Sequence, residues 1–248
     1  TALTEPSLSR DHSERMLKAF GARLTTDGLT VSIQGGAILS ATDVRVPGDF
    51  SSAAFFLVAG LLVPDSRLTI RGITLNPTRT GLLDVLKSMG ACMEIIRCEE
   101  IAGEPIGDIQ VETSDLRATE VGGDLVPRMI DEFPVFTLAA ARAAGRTMVR
   151  DARELRFKES DRISTVVRQM RALGVRIEEF EEGFSIEGPQ EIQPAVVESE
   201  GDHRVAMTLA IAALLARGTT VIRNTDCVQT SFPGFNEILI MTIAGGSE

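Results

Sequence analysis

Residues 203–223, HRVAMTLAIAALLARGTTVIR, decide the fold. From 205 to 216 every position but Thr208 is apolar, so a helix here has no face to give to water and must be enclosed. The run is also well short of the roughly 18 residues that a bilayer crossing needs. Gly218 ends it, and the β-branched stretch TTVIR (219–223) reads as a short strand. The same pair, an apolar helix and then a short strand, recurs at 52–63 with RLTIR (67–71) and at 133–144 with RTMVR (146–150). Self-similarity of this kind determines architecture before any single motif does.

A second kind of helix is interleaved with the first. ERMLKAFG (14–21), LDVLKSMG (83–90) and VRQMRALG (167–174) are amphipathic, and each ends on a glycine suited to the left-handed position that closes a helix. Two short alternating stretches follow each one, for example 175–179 and 184–187, and read as an antiparallel pair. The unit is therefore helix, strand, helix, strand, strand. Strands with one polar face suit a sheet that is wet on one side, so the expected class is α/β with buried helices and outer sheets.

Counted from the apolar helix, the units at 51–113 and 132–187 are complete, whereas the one from His203 lacks its strand pair. Residues 1–46 have the opposite defect, an amphipathic helix and a strand pair with no apolar helix and strand before them. The expectation is a chain that begins and ends within a unit and borrows its complement from another polypeptide or another part of its own. The turn at Pro47 and Gly48 is the natural boundary between the incomplete first unit and the rest.

The composition excludes several functions. With 44% apolar residues the chain can build a core, and a formal charge of −10 opposes nucleic-acid binding, which needs a basic face. The first fifteen residues are polar and charged, with no apolar signal core, so a cytoplasmic location is expected. Cys92, Cys98 and Cys227 have no C-x-x-C spacing and fit reduced thiols. No metal, no cofactor and no membrane partner is expected. Any phosphate ligand must meet a local cluster of cations.

Two sets of residues could carry chemistry. Each apolar helix opens on an acid, Asp49, Asp131 and Asp202, and helix capping alone accounts for all three. Arg204, however, lies in the first turn of its helix, where a cation opposes the macrodipole unless an anion is near. In RELRFKESDRI (153–163), read as a helix, Lys158 and Arg162 share a face and Glu159 reaches Arg162. A solvated charged helix is the alternative reading of that stretch.

Seven strings occur in order along the chain: SRDHSERML (9–17), VPGDFSSAAFFLVAG (46–60), NPTRTG (76–81), DEFPVFTLAAA (131–141), RFKESDRI (156–163), GDHRVAMTLAIAAL (201–214) and TSFPGF (230–235). Together they resemble the enolpyruvyl-transferase family, in the branch of the 5-enolpyruvylshikimate-3-phosphate synthases, and within it the C-terminal portion. The resemblance implies an inside-out α/β barrel of repeated helix and sheet units. It implies that residues 1–47 are the last part of an N-terminal domain and that 48–248 form a C-terminal domain lacking strands supplied by the start of the longer chain.

The activity implied is transfer of the enolpyruvyl group of phosphoenolpyruvate to the 5-hydroxyl of shikimate 3-phosphate, with release of phosphate. Its partners would be those two substrates and the N-terminal portion of the same enzyme. By the same resemblance Asp131 is the base and a shikimate-phosphate ligand, Lys158 serves the hydroxyl region, and Glu159 is the proton donor. Arg162 and Arg204 would grip phosphoenolpyruvate through guanidinium forks, and Ser9 would lie by the shikimate phosphate. The chain departs from the pattern at Thr230, a lysine in some relatives, and at Glu154, an asparagine in some.

Three other readings remain. The sister enzyme acting on UDP-N-acetylglucosamine shares the fold but lacks the KESDR and SRDH strings. A non-catalytic half that only binds its complement would have the same sequence features. A phosphate cyclase acting on RNA ends is disfavoured by the acidic charge.

Overall fold

A computed structural model describes residues 1–245. The first unit holds β1 (Ala2–Thr4), α1 (His12–Ala19), β2 (Leu24–Asp27) and β3 (Thr30–Ile33). The second holds α2 (Phe50–Leu62), β4 (Arg67–Thr74), α3 (Gly81–Ser88), β5 (Cys92–Ile101) and β6 (Glu104–Glu112). In the third come β7 (Glu120–Val121), α4 (Leu125–Arg128), α5 (Phe133–Arg142), β8 (Gly145–Val149), α6 (Arg162–Ala172), β9 (Ile177–Phe180) and β10 (Gly183–Gly188). The fourth contains β11 (Val196–Glu198), α7 (His203–Leu215), β12 (Val221–Arg223), α8 (Val228–Ser231) and α9 (Phe235–Ile243).

The repeat read from the sequence is present in the hydrogen bonding. Three sheets share one order, with the unit's last strand in the middle: β1-β3-β2, β4-β6-β5 and β8-β10-β9, the last extended by β7. Within each, the middle strand runs antiparallel to both of those neighbours. The fourth unit has a different sheet, β11 and β12 paired in parallel.

The apolar helices behave as their sequences demand. All of α2 except Ser52 and all of α5 except Arg142 are buried, and α2, α5 and α7 pack on one another with the sheets outside. α7 is less enclosed, because Ala210 and its last three residues, Ala213 to Leu215, are half-exposed. Gly60 explains the glycine inside α2: a Cβ there would lie 2.5 Å from Val111 Cγ2, so the helix meets β6 only without a side chain. The three amphipathic helices end as read, with Gly21, Gly90 and Gly174 at φ of +91°, +88° and +83°.

Two expectations are corrected. Residues 1–46 do not lack the strand that precedes the amphipathic helix, since β1 supplies it by pairing with β3. Nor is 153–163 one helix: Arg153–Phe157 is a turn of 3-10 helix, Lys158 is extended, and Asp161 starts α6 afresh by accepting the Ser164 amide at 3.1 Å. The side-chain cap that Asp161 supplies within the stretch outcompetes continued helix.

Residues 34–47 carry neither helix nor strand and lead into Gly48, which bridges to Ile73 beside β4. Among the described residues no helix is long and apolar enough to cross a membrane.

Candidate active site

The apolar helices converge at their N-terminal ends, and the acids there have separate duties. Asp49 caps α2 through the Ser52 amide at 2.7 Å, and Asp202 caps α7 through the amides of Arg204 and Val205 at 2.9 and 3.3 Å. Asp131 caps nothing. It lies one residue before the N-cap position of α5, Glu132, and its carboxylate faces cations. Oδ2 accepts from Arg10 at 2.6 Å and lies 3.4 Å from Arg204, while Oδ1 accepts from Arg162 at 3.2 Å.

Burial pushes the Asp131 carboxyl upward, but the charge of Arg204, the bond and charge of Arg10, and the charge of Arg162 outweigh it and hold the group at about 2. Asp202 follows the same logic. Burial opposes its charge, yet Arg162 and the two amides keep it below the usual carboxylate range.

Arg162 is the hub. Its side chain is 1% exposed, and it donates from Nε to Asp202 at 2.9 Å, from Nη1 to Asp131, and from Nη2 to Glu159. A guanidinium so deeply buried is stable only with its forks filled, and three carboxylates fill them. Ser160 adds a hydrogen bond to Asp202 at 3.1 Å. The Arg204 side chain is 16% exposed, and its buried Nε has no hydrogen-bond partner among the described residues. That leaves a buried donor unpaired beside Asp131.

The structure thus brings Asp131, Arg162, Arg204 and Glu159 into one cluster. Lys158 stands beside it in sequence but pairs with Glu154. Ser9 is placed elsewhere: its hydroxyl donates to Glu5 at 2.5 Å, and it lines a cavity of about 500 Å³ with Asp11, Arg15 and Lys18. Its neighbour Arg10 reaches Asp131 instead.

Sequence reasoning missed Arg10, although the SRDH string contains it, and treated Asp202 as a cap alone. Beside Arg204, His203 is pulled below the ordinary histidine range by burial and then by the Arg204 charge. The signal for Asp202 was available: an acid that opens a helix carrying an arginine in its first turn.

Buried helices that converge on a carboxylate held by three guanidiniums, inside repeated outer sheets, define an α/β protein with the enolpyruvyl-transferase fold. The chain matches the family described as EPSP synthase (3-phosphoshikimate 1-carboxyvinyltransferase) over residues 1–239 and belongs to that family. It is 53% identical over 239 residues to the 3-phosphoshikimate 1-carboxyvinyltransferase of Geobacter sulfurreducens, covering 96% of this chain and 56% of that protein. With the protein of the same name from Bacillus thuringiensis strain Al Hakam the identity is 51%, at the same coverages. Among solved structures, EPSP synthase from Acinetobacter baumannii superposes with a TM-score of 0.93 at 40% identity, covering 98% of this chain and 56% of that one. The enolpyruvyl transferase NikO from Streptomyces tendae, at 23% identity and a TM-score of 0.75, shares the fold. The chain spans about half the length of the curated relatives it matches.

Proposed function

We propose that this chain is the C-terminal part of an enzyme that transfers the enolpyruvyl group of phosphoenolpyruvate to the 5-hydroxyl of shikimate 3-phosphate and releases phosphate. On this reading residues 1–47 close an N-terminal domain, 48–248 form the C-terminal domain, and turnover needs the N-terminal portion. The observation that carries the reading is Asp131 gathered with Arg10, Arg162 and Arg204 beside Glu159.

The chemistry asks for a base, an acid and anion holders. Asp131 takes the hydroxyl proton as the oxygen adds to C2 of phosphoenolpyruvate, while Glu159 protonates the methylene carbon. Glu159, now a carboxylate, takes a proton back from the new methyl group as phosphate departs with the proton held by Asp131, which gives the enol ether. Lys158 serves the hydroxyl region; Arg204 holds phosphoenolpyruvate, with Arg162 joining it as Glu159 leaves Nη2, and Ser9 holds the shikimate phosphate after turning from Glu5. A carboxylate held at about 2 is a poor base. A substrate anion that draws Arg204 and Arg10 to itself weakens their hold and raises the basicity of Asp131 where it is needed. The same reading places the enzyme in the cytoplasm, where its exposed Cys92 and Cys98 stay reduced.

The test is phosphate release from the two substrates by this chain combined with the N-terminal half that its relatives carry. Release dependent on both substrates supports the proposal. Assembly without release supports a non-catalytic binding half, and release with UDP-N-acetylglucosamine in place of shikimate 3-phosphate supports the sister activity.

A further inference from the structure

Behind Asp131 lies a buried polar chain to which the proposed chemistry gives no role. Glu132 is 2% exposed, and its Oε1 accepts from the Ser51 hydroxyl at 2.5 Å. Ser51, 1% exposed in the first turn of α2, accepts in turn from Arg79 Nη2 at 2.8 Å. Arg79 precedes α3, is itself buried, and also donates to Asp49 at 3.2 Å. Glu132 holds the N-cap position of α5 but makes no capping bond. Its side chain instead ties the start of α5 to the start of α2.

We propose that Glu132 is a positioning residue: through Ser51 and Arg79 it fixes the first turn of α5, and with it the place and orientation of the adjoining Asp131 carboxylate among its guanidiniums. This rests on the functional reading above. A buried acid with an apolar alternative is otherwise a liability, since charge at such a site is costly unless hydrogen-bonded and paired. The chain also links three elements that must hold still together if Asp131 is to meet a substrate hydroxyl, and small misplacements of a reacting group cost large factors in rate. Burial raises the Glu132 carboxyl to about 7, against the Ser51 bond and the Arg79 charge. Asp131 raises it further and Arg204 lowers it, so these are the charged groups that it senses.

The test uses the chain joined to its N-terminal half, and compares wild type, Glu132→Gln and Ser51→Ala by kcat, KM and their pH profiles. The expected result is a kcat about tenfold lower in Glu132→Gln with KM for phosphoenolpyruvate within about threefold. The wild type is expected to show an inflection of kcat near pH 7 and that variant to lack it. Ser51→Ala, which keeps the acid and the apolar packing, moves the inflection upward, because a hydrogen bond to the charged carboxylate is gone. It carries the test alone if Glu132→Gln does not fold. An active wild type whose variants keep its kcat and pH profile overturns this proposal only. A wild type without turnover overturns the functional reading and this proposal with it.

Discussion

The starts of α2 and α5 are equivalent places in consecutive units, and each follows an aspartate. At α2 the carboxylate of Asp49 folds back on its own helix and bonds the Ser52 amide, with its side chain 53% exposed. At α5 the carboxylate of Asp131 turns outward to three guanidiniums from three distant segments, and is 14% exposed. The two acids stand one place apart relative to their helices, Asp49 at the N-cap and Asp131 just before it, and one is structural where the other is electrostatic. The start of α7 shows both behaviours at once, because Asp202 caps its helix with one oxygen and holds Arg162 with the other. A shift of one place along the helix start, together with the number of cations around it, decides what the acid does.

That contrast can be broken most sharply at Asp131. Asp131→Ala in the reassembled enzyme is expected to lower turnover by about a thousandfold or more, with circular dichroism unchanged. Near-normal phosphate release would remove Asp131 from the chemistry. The next largest effect falls at Asp202. Asp202→Ala strips two cap bonds and leaves Arg162, 1% exposed, without one of its carboxylates. Breaking a buried pair of this kind costs about 3–5 kcal/mol, to be read from the urea midpoint.

The pH dependence of stability separates the two acids next to each other in sequence. Asp131 is lowered from 3.8 to about 2, so its contribution is complete above about 3.8 and is lost as pH falls through about 2. Glu132 is raised from 4.5 to about 7, so the folded state keeps a proton that the unfolded chain has released. Stability therefore falls as pH rises from about 4.5 to about 7, and Glu132→Gln flattens that slope. Thermal melts across pH 2 to 8 check both directions. Smallest is Asp49→Ala, where loss of the cap bond costs about 1 kcal/mol and the Arg79 contact, made to a half-exposed carboxylate, adds little. A larger loss there would erase the distinction between the two helix starts.

The fold was legible where local chemistry suffices. Continuous apolar runs announced α2, α5 and α7, and the glycines after the amphipathic helices stand in the left-handed conformation that their positions require. Strands β1, β7 and β11 were missed because each has only two or three residues and is defined by its partner rather than by its own pattern. The helix read across 153–163 failed on a single cap, Asp161, which no count of charges at helical spacing detects.

For the site, the family strings marked Asp131, Glu159, Arg162 and Arg204, which the fold gathers. Arg10 escaped notice because its contact with Asp131 spans 121 residues, and nothing periodic connects them. Ser9 and Arg10 are neighbours on an irregular segment before α1, and only the geometry separates the one that reaches Asp131 from the one that turns to Glu5.

Asp131 serves a cage of guanidiniums rather than its helix, and carboxyl carbon NMR of the folded chain reads this at the residue itself. The expected Asp131 signal stays that of an ionised carboxylate as acid is added, down to about pH 2 or to the point of unfolding. Titration near 3.8 in the folded protein, with Arg10→Ala and Arg204→Ala leaving it unmoved, would contradict it.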